Sequence, residues 1–260
     1  MSAAATDLSA AIAARPGGLH DVPLGLYVHV PFCARRCGYC AFTTYALGDG
    51  GDHATQERYV AAAVAELAVA DRALGARRPA LTSVYFGGGT PTMLTDDQFE
   101  RLLRAVRDRF ELRPDLEVTV ESNPDGLRPG QLAAWHAFGA TRVSFGLQST
   151  SRRVLRTLDR THDPERALSA VGEARSAGFE HVSLDLIHGT PGETPGDWTA
   201  TLDAAIASGA DHLSAYALGI EDGTKLAARV RGGALARPDP DEAAERYLVA
   251  EEHLSSAGFE

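Results

Sequence analysis

Three cysteines lie within eight residues of one another, and the chain of 260 residues has no others. Cys33, Cys37 and Cys40 have the spacing C-x3-C-x2-C in the run PFCARRCGYCAF. A short loop with this spacing lets three thiolates face one small iron–sulfur cluster. A [4Fe–4S] cluster usually takes four thiolates, so three leave one iron without a protein ligand. The spacing therefore predicts a cluster with an open position that binds another molecule.

The spacing alone leaves two other uses of these thiols open. A structural zinc site could combine the three thiolates with the nearby His29, although such sites usually contain two spaced cysteine pairs. A disulfide beside one free thiol would suit an exported protein. The first 24 residues lack the basic start and long apolar run of a signal peptide, so we expect free thiols in a reducing cytoplasm.

The composition indicates one large globular domain. Hydrophobic residues make up 44% of the chain, which is enough for a full core. No apolar stretch reaches the roughly 20 residues that cross a bilayer, so we do not expect an integral membrane protein. The net charge of −10 argues against nucleic acid as a partner, because phosphate backbones bind basic surfaces.

Short β-branched or aromatic runs alternate with longer segments of helical periodicity. The six predicted strands are residues 26–30, 83–86, 117–120, 142–145, 181–186 and 212–218. The predicted helices are 55–74, 95–110, 129–138, 151–158 with 164–177, 195–208 and 240–257. Six strand–helix units in series imply an α/β fold with a parallel sheet. The sheet is either doubly wound or, as the strand lengths favour, a partial (β/α)6 barrel of TIM type.

The barrel is expected to occupy residues 25–260, after a flexible or weakly helical tail at residues 1–24. Gly258 follows the last predicted helix as a cap, and Phe259-Glu260 resembles the start of another strand. We therefore expect the chain to be part of a longer protein, with a native C-terminus as the alternative.

Polar residues and glycines follow the predicted strands, at the edge where parallel α/β folds bind ligands. The cysteine loop follows the first strand, so all these strand ends share one rim. Bare glycine backbone allows close approach of a ligand, and a buried Asp185 carboxylate needs a partner or a ligand. The later strand ends contain Gly87-Gly88-Gly89-Thr90-Pro91, Glu121-Ser122-Asn123-Pro124, Gly146-Leu147-Gln148-Ser149, and Asp185 with His188-Gly189-Thr190-Pro191-Gly192.

Each of these features also has an ordinary structural explanation. Three glycines can form a tight turn, and Glu121 can pair with a neighbouring cation. His188 can be a loop histidine whose ring nitrogens are hydrogen-bonded within the protein. Tyr27 and His29 share one face of the first strand, where either can simply pack. Gln148 is a weak signal by itself. The arrangement of five strand ends on one rim favours a ligand site.

These motifs are similar to those of the radical S-adenosylmethionine superfamily. More narrowly, LYVHVPFCARRCGYCAF, YFGGGTPTML, ESNP, SFGLQS and LDLIHGTPG resemble the oxygen-independent coproporphyrinogen oxidase group, over residues 24 to 260. The resemblance implies that Cys33, Cys37 and Cys40 hold a [4Fe–4S] cluster whose fourth iron binds S-adenosylmethionine. One electron, supplied by a donor partner through the cluster, would split that molecule into methionine and a 5′-deoxyadenosyl radical.

The resemblance also implies residues that contact S-adenosylmethionine. Gly88, Gly89 and Thr90 would bind its methionine end, and Glu121 would accept hydrogen bonds from its ribose. Tyr27 and Tyr39 would pack near the cluster and adenine. The remaining implied contacts, some of them to a second molecule of S-adenosylmethionine, are Gln148, Arg160 and Asp185.

Position 42 divides the group. The oxidases have a further cysteine two positions after the third cluster cysteine, and this chain has Phe42 there. Phenylalanine resembles the haem chaperone branch, which implies haem and a recipient apoprotein as partners. The haem motif of that branch lies beyond the residues of this chain. The alternative functions are an oxygen-independent coproporphyrinogen III oxidase and a non-catalytic metal-binding module.

Overall fold

The computed structural model describes residues 22–48, 52–75 and 78–260. Most of the expected tail at residues 1–24 lies outside these ranges. The strands are β1 (Leu24–Val30), β2 (Phe32–Cys33), β3 (Tyr45–Ala46), β4 (Leu81–Gly88), β5 (Leu112–Ser122), β6 (Arg142–Gln148), β7 (His181–His188) and β8 (His212–Ala217). The helices are α1 (His53–Leu74), α2 (Asp96–Arg107), α3 (Gln131–Phe138), α4 (Arg152–Thr157), α5 (Pro164–Ser176), α6 (Pro195–Ala207), α7 (Lys225–Arg231) and α8 (Pro240–Ser256).

Six parallel strands form one sheet in the order β1-β4-β5-β6-β7-β8. Each strand of this sheet pairs with the next one along the chain, whereas a doubly wound sheet needs a point where the order reverses. Among the described residues, β1 and β8 are the two edges of this sheet and do not pair with each other, so these strands form an open barrel. The partial six-stranded barrel predicted from the sequence is thus confirmed.

The two faces of the sheet differ in polarity because side chains alternate along each strand. The outer face packs under the helices with buried residues such as Val84, Phe86 and Val120. Outside them, the rings of Phe99 in α2 and Trp135 in α3 stack with centroids 3.9 Å apart. The inner face instead contains Tyr85, Glu121, Ser144, Asp185 and Tyr216.

Helix caps follow the local sequence signals. Thr95 begins α2 with a capping box, in which its hydroxyl accepts from the Gln98 N–H at 3.2 Å and the Gln98 side chain accepts from the Thr95 N–H at 3.0 Å. Gly139 after α3 has a φ of +108°, which a glycine adopts without strain. Within the described part of the chain, no helix combines the length and apolar character needed to span a membrane.

Candidate functional site

The loop that contains the three cysteines is closed at its base by the short β2–β3 pair. The Tyr45 N–H donates to the carbonyl of Pro31 at 2.7 Å, and the Leu47 N–H donates to the carbonyl of Cys33 at 2.9 Å. These bonds place the two ends of the loop side by side at the end of β1. Cys33 therefore lies in β2 at the base of the loop, and Cys37 and Cys40 lie within the loop that the strand pair closes.

The middle of the loop is fixed at Gly38. Its N–H donates to the Leu158 carbonyl at 3.0 Å, and its carbonyl accepts from the Leu226 N–H at 2.9 Å. A Cβ at this position would lie 2.5 Å from the Asp159 carboxylate, so a side chain here would require Asp159 to move. The Arg36 guanidinium also braces the loop by donating to the Cys40 carbonyl at 3.3 and 3.2 Å.

All three cysteines are free thiols, and each has a polar group beside its sulfur. An Arg160 N–H donates to Cys37 Sγ at 3.4 Å. Burial raises the pKa of Cys33 and of Cys40. The Thr90 hydroxyl opposes the rise at Cys33, and the backbone N–H of Phe42 opposes it at Cys40. Such groups stabilise thiolates, which are the form that binds iron.

A cavity of about 590 Å³ opens between the cysteine loop and the carboxyl ends of the sheet strands. It brings together eleven of the twelve residues that the sequence analysis assigned to the site. Their proximity was predicted, and their individual roles remain predictions. These lining residues are Cys33, Cys37, Cys40, Tyr39, Gly88, Gly89, Thr90, Glu121, Gln148, Arg160 and Asp185.

Tyr27 is the exception, because it does not line this cavity. Its side chain is 56% exposed on β1, and its ring stacks on Tyr85 at a centroid distance of 6.0 Å. The Tyr27 hydroxyl and His29 Nδ1 are 3.2 Å apart, and His29 Nε2 lies 2.9 Å from the Thr43 carbonyl. This chain of contacts ties β1 to the end of the cysteine loop.

The same contacts bear on a zinc site that would include His29. Both of its ring nitrogens are already engaged, so neither is presented to the thiols. Among the described residues, no three His, Cys, Asp or Glu side chains converge closely enough to hold one metal ion. A four-iron cluster does not need such convergence, because each thiolate binds a different iron. The described residues therefore give no support to a single-ion site that includes His29.

The backbone N–H groups of the glycine run are hydrogen-bonded within the protein. The sequence had suggested bare backbone that a ligand could approach. The Gly88 N–H donates to Glu121 Oε2 at 3.0 Å, the Gly89 N–H donates to the Val30 carbonyl at 2.8 Å, and the Thr90 N–H is likewise bonded within the protein. Gly88 also has a φ of +110°, and a Cβ there would lie 2.6 Å from the ring of His29. The N–H groups of Gly88, Gly89 and Thr90 are therefore already engaged within the protein.

Glu121 lies at the centre of the inner face. Its Oε1 accepts from the Tyr85 hydroxyl at 2.7 Å, while its Oε2 accepts from the Gly88 N–H. Burial and the charge of Glu121 raise the pKa of Tyr85, so this phenol keeps its proton. Tyr85 was not among the predicted site residues, although its alternation with Gly87 on β4 places it on the inner face.

Gln148 has two features typical of a functional residue. Its φ of +64° is uncommon for a residue with a side chain, and its buried Oε1 has no hydrogen-bond partner. Backbone strain and an unsatisfied buried polar atom are both more common at functional sites than elsewhere in a fold. The sequence could not reveal the backbone strain, because it arises from the end of β6.

The His188 loop departs from the expected arrangement on the rim. Ile187 lines the cavity, but His188 points to the opposite side of β7, where its ring lies 5.2 Å from the Trp198 ring. Glu193 closes the loop by accepting from the Gly189 N–H at 2.7 Å. Arg246 of α8 pairs with Glu193 at 3.3 Å. This loop therefore holds α8 against the barrel.

Asp185 faces the cavity with a raised pKa. Its Oδ2 accepts from the Ser144 hydroxyl at 3.2 Å. Burial raises the pKa of Asp185 from 3.8 to about 6, and the nearby charge of Glu121 adds to the effect. A carboxyl group whose folded-state pKa is raised costs stability once it ionises, so this cost grows between pH 4 and pH 6.

We therefore predict that Asp185→Asn stabilises the cluster-free chain at neutral pH. The gain should be about 2–3 kcal/mol at pH 7.5 and close to zero at pH 4, because the wild-type carboxyl group is neutral there. Urea unfolding of both proteins at the two pH values measures this difference. Equal stability at both values would contradict the raised pKa.

Comparisons with known proteins agree with this geometry. Residues 27–205 match the family model for the radical SAM superfamily. The chain is 51% identical over 237 residues to the haem chaperone HemW of Mycobacterium tuberculosis (strain ATCC 25618 / H37Rv), covering 91% of this chain and 60% of that protein. It is 40% identical to the bovine mitochondrial radical S-adenosyl methionine domain-containing protein 1, covering 90% of this chain and 52% of that protein.

Among solved structures, coproporphyrinogen III oxidase (HemN) from Escherichia coli is similar with a TM-score of 0.79 and 28% identity. The similarity covers 92% of this chain and 54% of the oxidase chain. The present chain thus spans between about half and 60% of the length of these relatives.

Proposed function

The chain belongs to the radical SAM superfamily, and we propose that it forms the cofactor-binding core of a haem chaperone. The observation that carries the proposal is its 51% identity to a HemW haem chaperone. The proposed activity is to deliver haem to apoproteins in a reducing cytoplasm, with a separate protein as electron donor. Since the chain covers only part of its relatives, haem binding is proposed for the longer protein.

The residues present fit a [4Fe–4S] cluster. Cys33, Cys37 and Cys40 would hold it, because they are free thiols on one cavity wall with polar groups beside their sulfurs. When bound, the reduced cluster supplies one electron to the sulfonium of S-adenosylmethionine. The loop contacts at Gly38 and Arg36 would keep the thiols in place during assembly.

The opposite wall of the cavity fits S-adenosylmethionine. Glu121 has acceptor capacity beyond its bonds to Tyr85 and Gly88, which suits a ribose hydroxyl. The free Oε1 of Gln148 would accept a hydrogen bond from the ligand. A positively charged ligand would favour the ionised form of Asp185 and so lower its pKa. Each assignment is supported by position on the cavity wall.

The similarity to HemN favours oxidation of coproporphyrinogen III as a second candidate. Phe42 argues for the chaperone. Its ring is 65% exposed and lines the cavity beside Cys40, at the position where the oxidase resemblance implies a cysteine. A phenyl ring cannot ligate iron or exchange a proton there, so the chemistry available next to the cluster differs between the two groups.

The test compares two activities of the reconstituted protein under anaerobic, reducing conditions. We expect S-adenosylmethionine to change the EPR spectrum of the reduced cluster, and coproporphyrinogen III to remain unconverted. A version extended to the full length of its relatives should bind haem and transfer it to an apoprotein. Conversion of coproporphyrinogen III to protoporphyrinogen IX would replace the chaperone proposal with the oxidase. A spectrum unchanged by S-adenosylmethionine would remove the proposed ligand.

A further inference from the structure

Arg160 contacts the cysteine loop and two strand ends at once. Its guanidinium donates to Cys37 Sγ at 3.4 Å, to Asn123 Oδ1 at 2.6 Å and to the Gly146 carbonyl at 2.9 Å. In the described part of the chain, no carboxylate forms an ion pair with Arg160. The charge of Asp125 acts on Arg160 only through space, without an ion pair, and the Cys37 sulfur receives a charge-assisted hydrogen bond.

His162 also contacts the Arg160 guanidinium. Arg160 Nε donates to His162 Nδ1 at 3.2 Å, and His162 Nε2 lies 3.0 Å from the Leu147 carbonyl. A guanidinium only donates and a carbonyl only accepts, so Nδ1 must be unprotonated and Nε2 must hold the proton. Both partners thus select one neutral tautomer. Burial, and then the charge of Arg160, lower the pKa of His162 to about 4, which agrees with this tautomer.

This pair stands between two cavities. A second cavity of about 520 Å³ is lined by His162 and shares Cys37, Asn123 and Arg160 with the cavity described above. Arg160 and Cys37 therefore line both cavities. A rotation of the guanidinium would remove a donor from the Cys37 sulfur, so the orientation of Arg160 has to be fixed by its neighbours.

We propose that His162 is a positioning residue that locks Arg160 against the Cys37 sulfur and thereby sets the reduction potential of the cluster. The inference rests on the proposed cluster-binding function. An N–H donated to a cluster thiolate, and a positive charge beside it, stabilise the reduced form, which has the more negative charge. Loss of this contact should therefore lower the midpoint potential.

The test is an EPR-monitored redox titration of the anaerobically reconstituted chain. We expect His162→Phe, which keeps a ring of similar size without its nitrogens, to lower the midpoint potential. His162→Gln should restore most of the wild-type potential, because one amide supplies both an acceptor for Arg160 and a donor for Leu147. Arg160→Met should lower the potential at least as far as His162→Phe. Equal potentials in wild type and His162→Phe would overturn the proposal.

A double variant separates positioning from a general structural role. If His162 acts through Arg160, then adding His162→Phe to Arg160→Met should cause no further change in potential or cluster content. Loss of folding or cluster assembly on adding His162→Phe to Arg160→Met would make His162 a structural residue and overturn the proposal. A wild-type chain that assembles no cluster at all would overturn the proposed function itself, which is a distinguishable outcome.

Discussion

Replacement of any one of the three cysteines with alanine is expected to abolish stable cluster assembly. The reconstituted wild-type chain should contain about four irons and four sulfides, as a [4Fe–4S] cluster requires. With Cys33, Cys37 or Cys40 removed, two thiolates remain and two irons lack a protein ligand. Iron and sulfide analysis after desalting should therefore give values near zero for each variant.

The matched control for this experiment is Arg35→Ala. Arg35 is exposed in the same loop, between two of the cysteines, and supplies no sulfur. This variant should keep the iron and sulfide content of the wild type. Stoichiometric zinc without iron in the wild-type protein would support the zinc alternative, and a single cysteine variant with full iron content would exclude that residue as a ligand.

The second large effect is expected from Gly89→Ala. A Cβ at this position would lie 2.5 Å from the carbonyl oxygen of Phe32 and 3.0 Å from its backbone nitrogen. These are backbone atoms of β2, so the cysteine loop itself must move to make room. We expect a loss of about 3 kcal/mol in the free energy of unfolding, as for other overpacked sites, together with poor cluster assembly.

Gly172→Ala is the control for the loss of a glycine. Gly172 lies in α5, and a Cβ there would meet nothing within 4 Å. Alanine should raise the free energy of unfolding by about 0.5–1 kcal/mol because it favours the helix. Urea unfolding and iron content of the two variants test the comparison. A Gly89→Ala protein with wild-type stability and iron content would show that β2 can shift freely.

The main elements of the fold could be predicted because each is long enough to show its own periodicity. Strand–helix alternation indicated the parallel sheet, and each of the long predicted helices has a counterpart in the structure. The elements β2, β3 and α7 were missed. Two-residue strands and a seven-residue helix have no periodic pattern, and they form through tertiary contacts such as the bond from Leu226 to Gly38.

Site residues could be predicted where their type alone indicates a function. Features that depend on contacts between distant segments were predicted less well. Cysteine spacing and strand-end residues identified the wall of one cavity. The tautomer of His162 depends on Leu147 and Arg160, which no local pattern connects. The glycine run was also interpreted mainly as space for a ligand, whereas Gly89 is needed for contact with β2. Such requirements become visible only when distant segments are in place.

Among the residues that the structure describes, β1 and β8 are the edge strands of the main sheet, and this has a mechanical consequence. To widen a closed barrel, a complete ladder of backbone hydrogen bonds between two strands must break. To widen this sheet, the strands need only change their twist, and every existing ladder stays intact. The cavity can therefore widen gradually as the sheet bends. It does not need to lose a whole row of hydrogen bonds in one step. A core of this kind can accommodate contents of different width without unfolding.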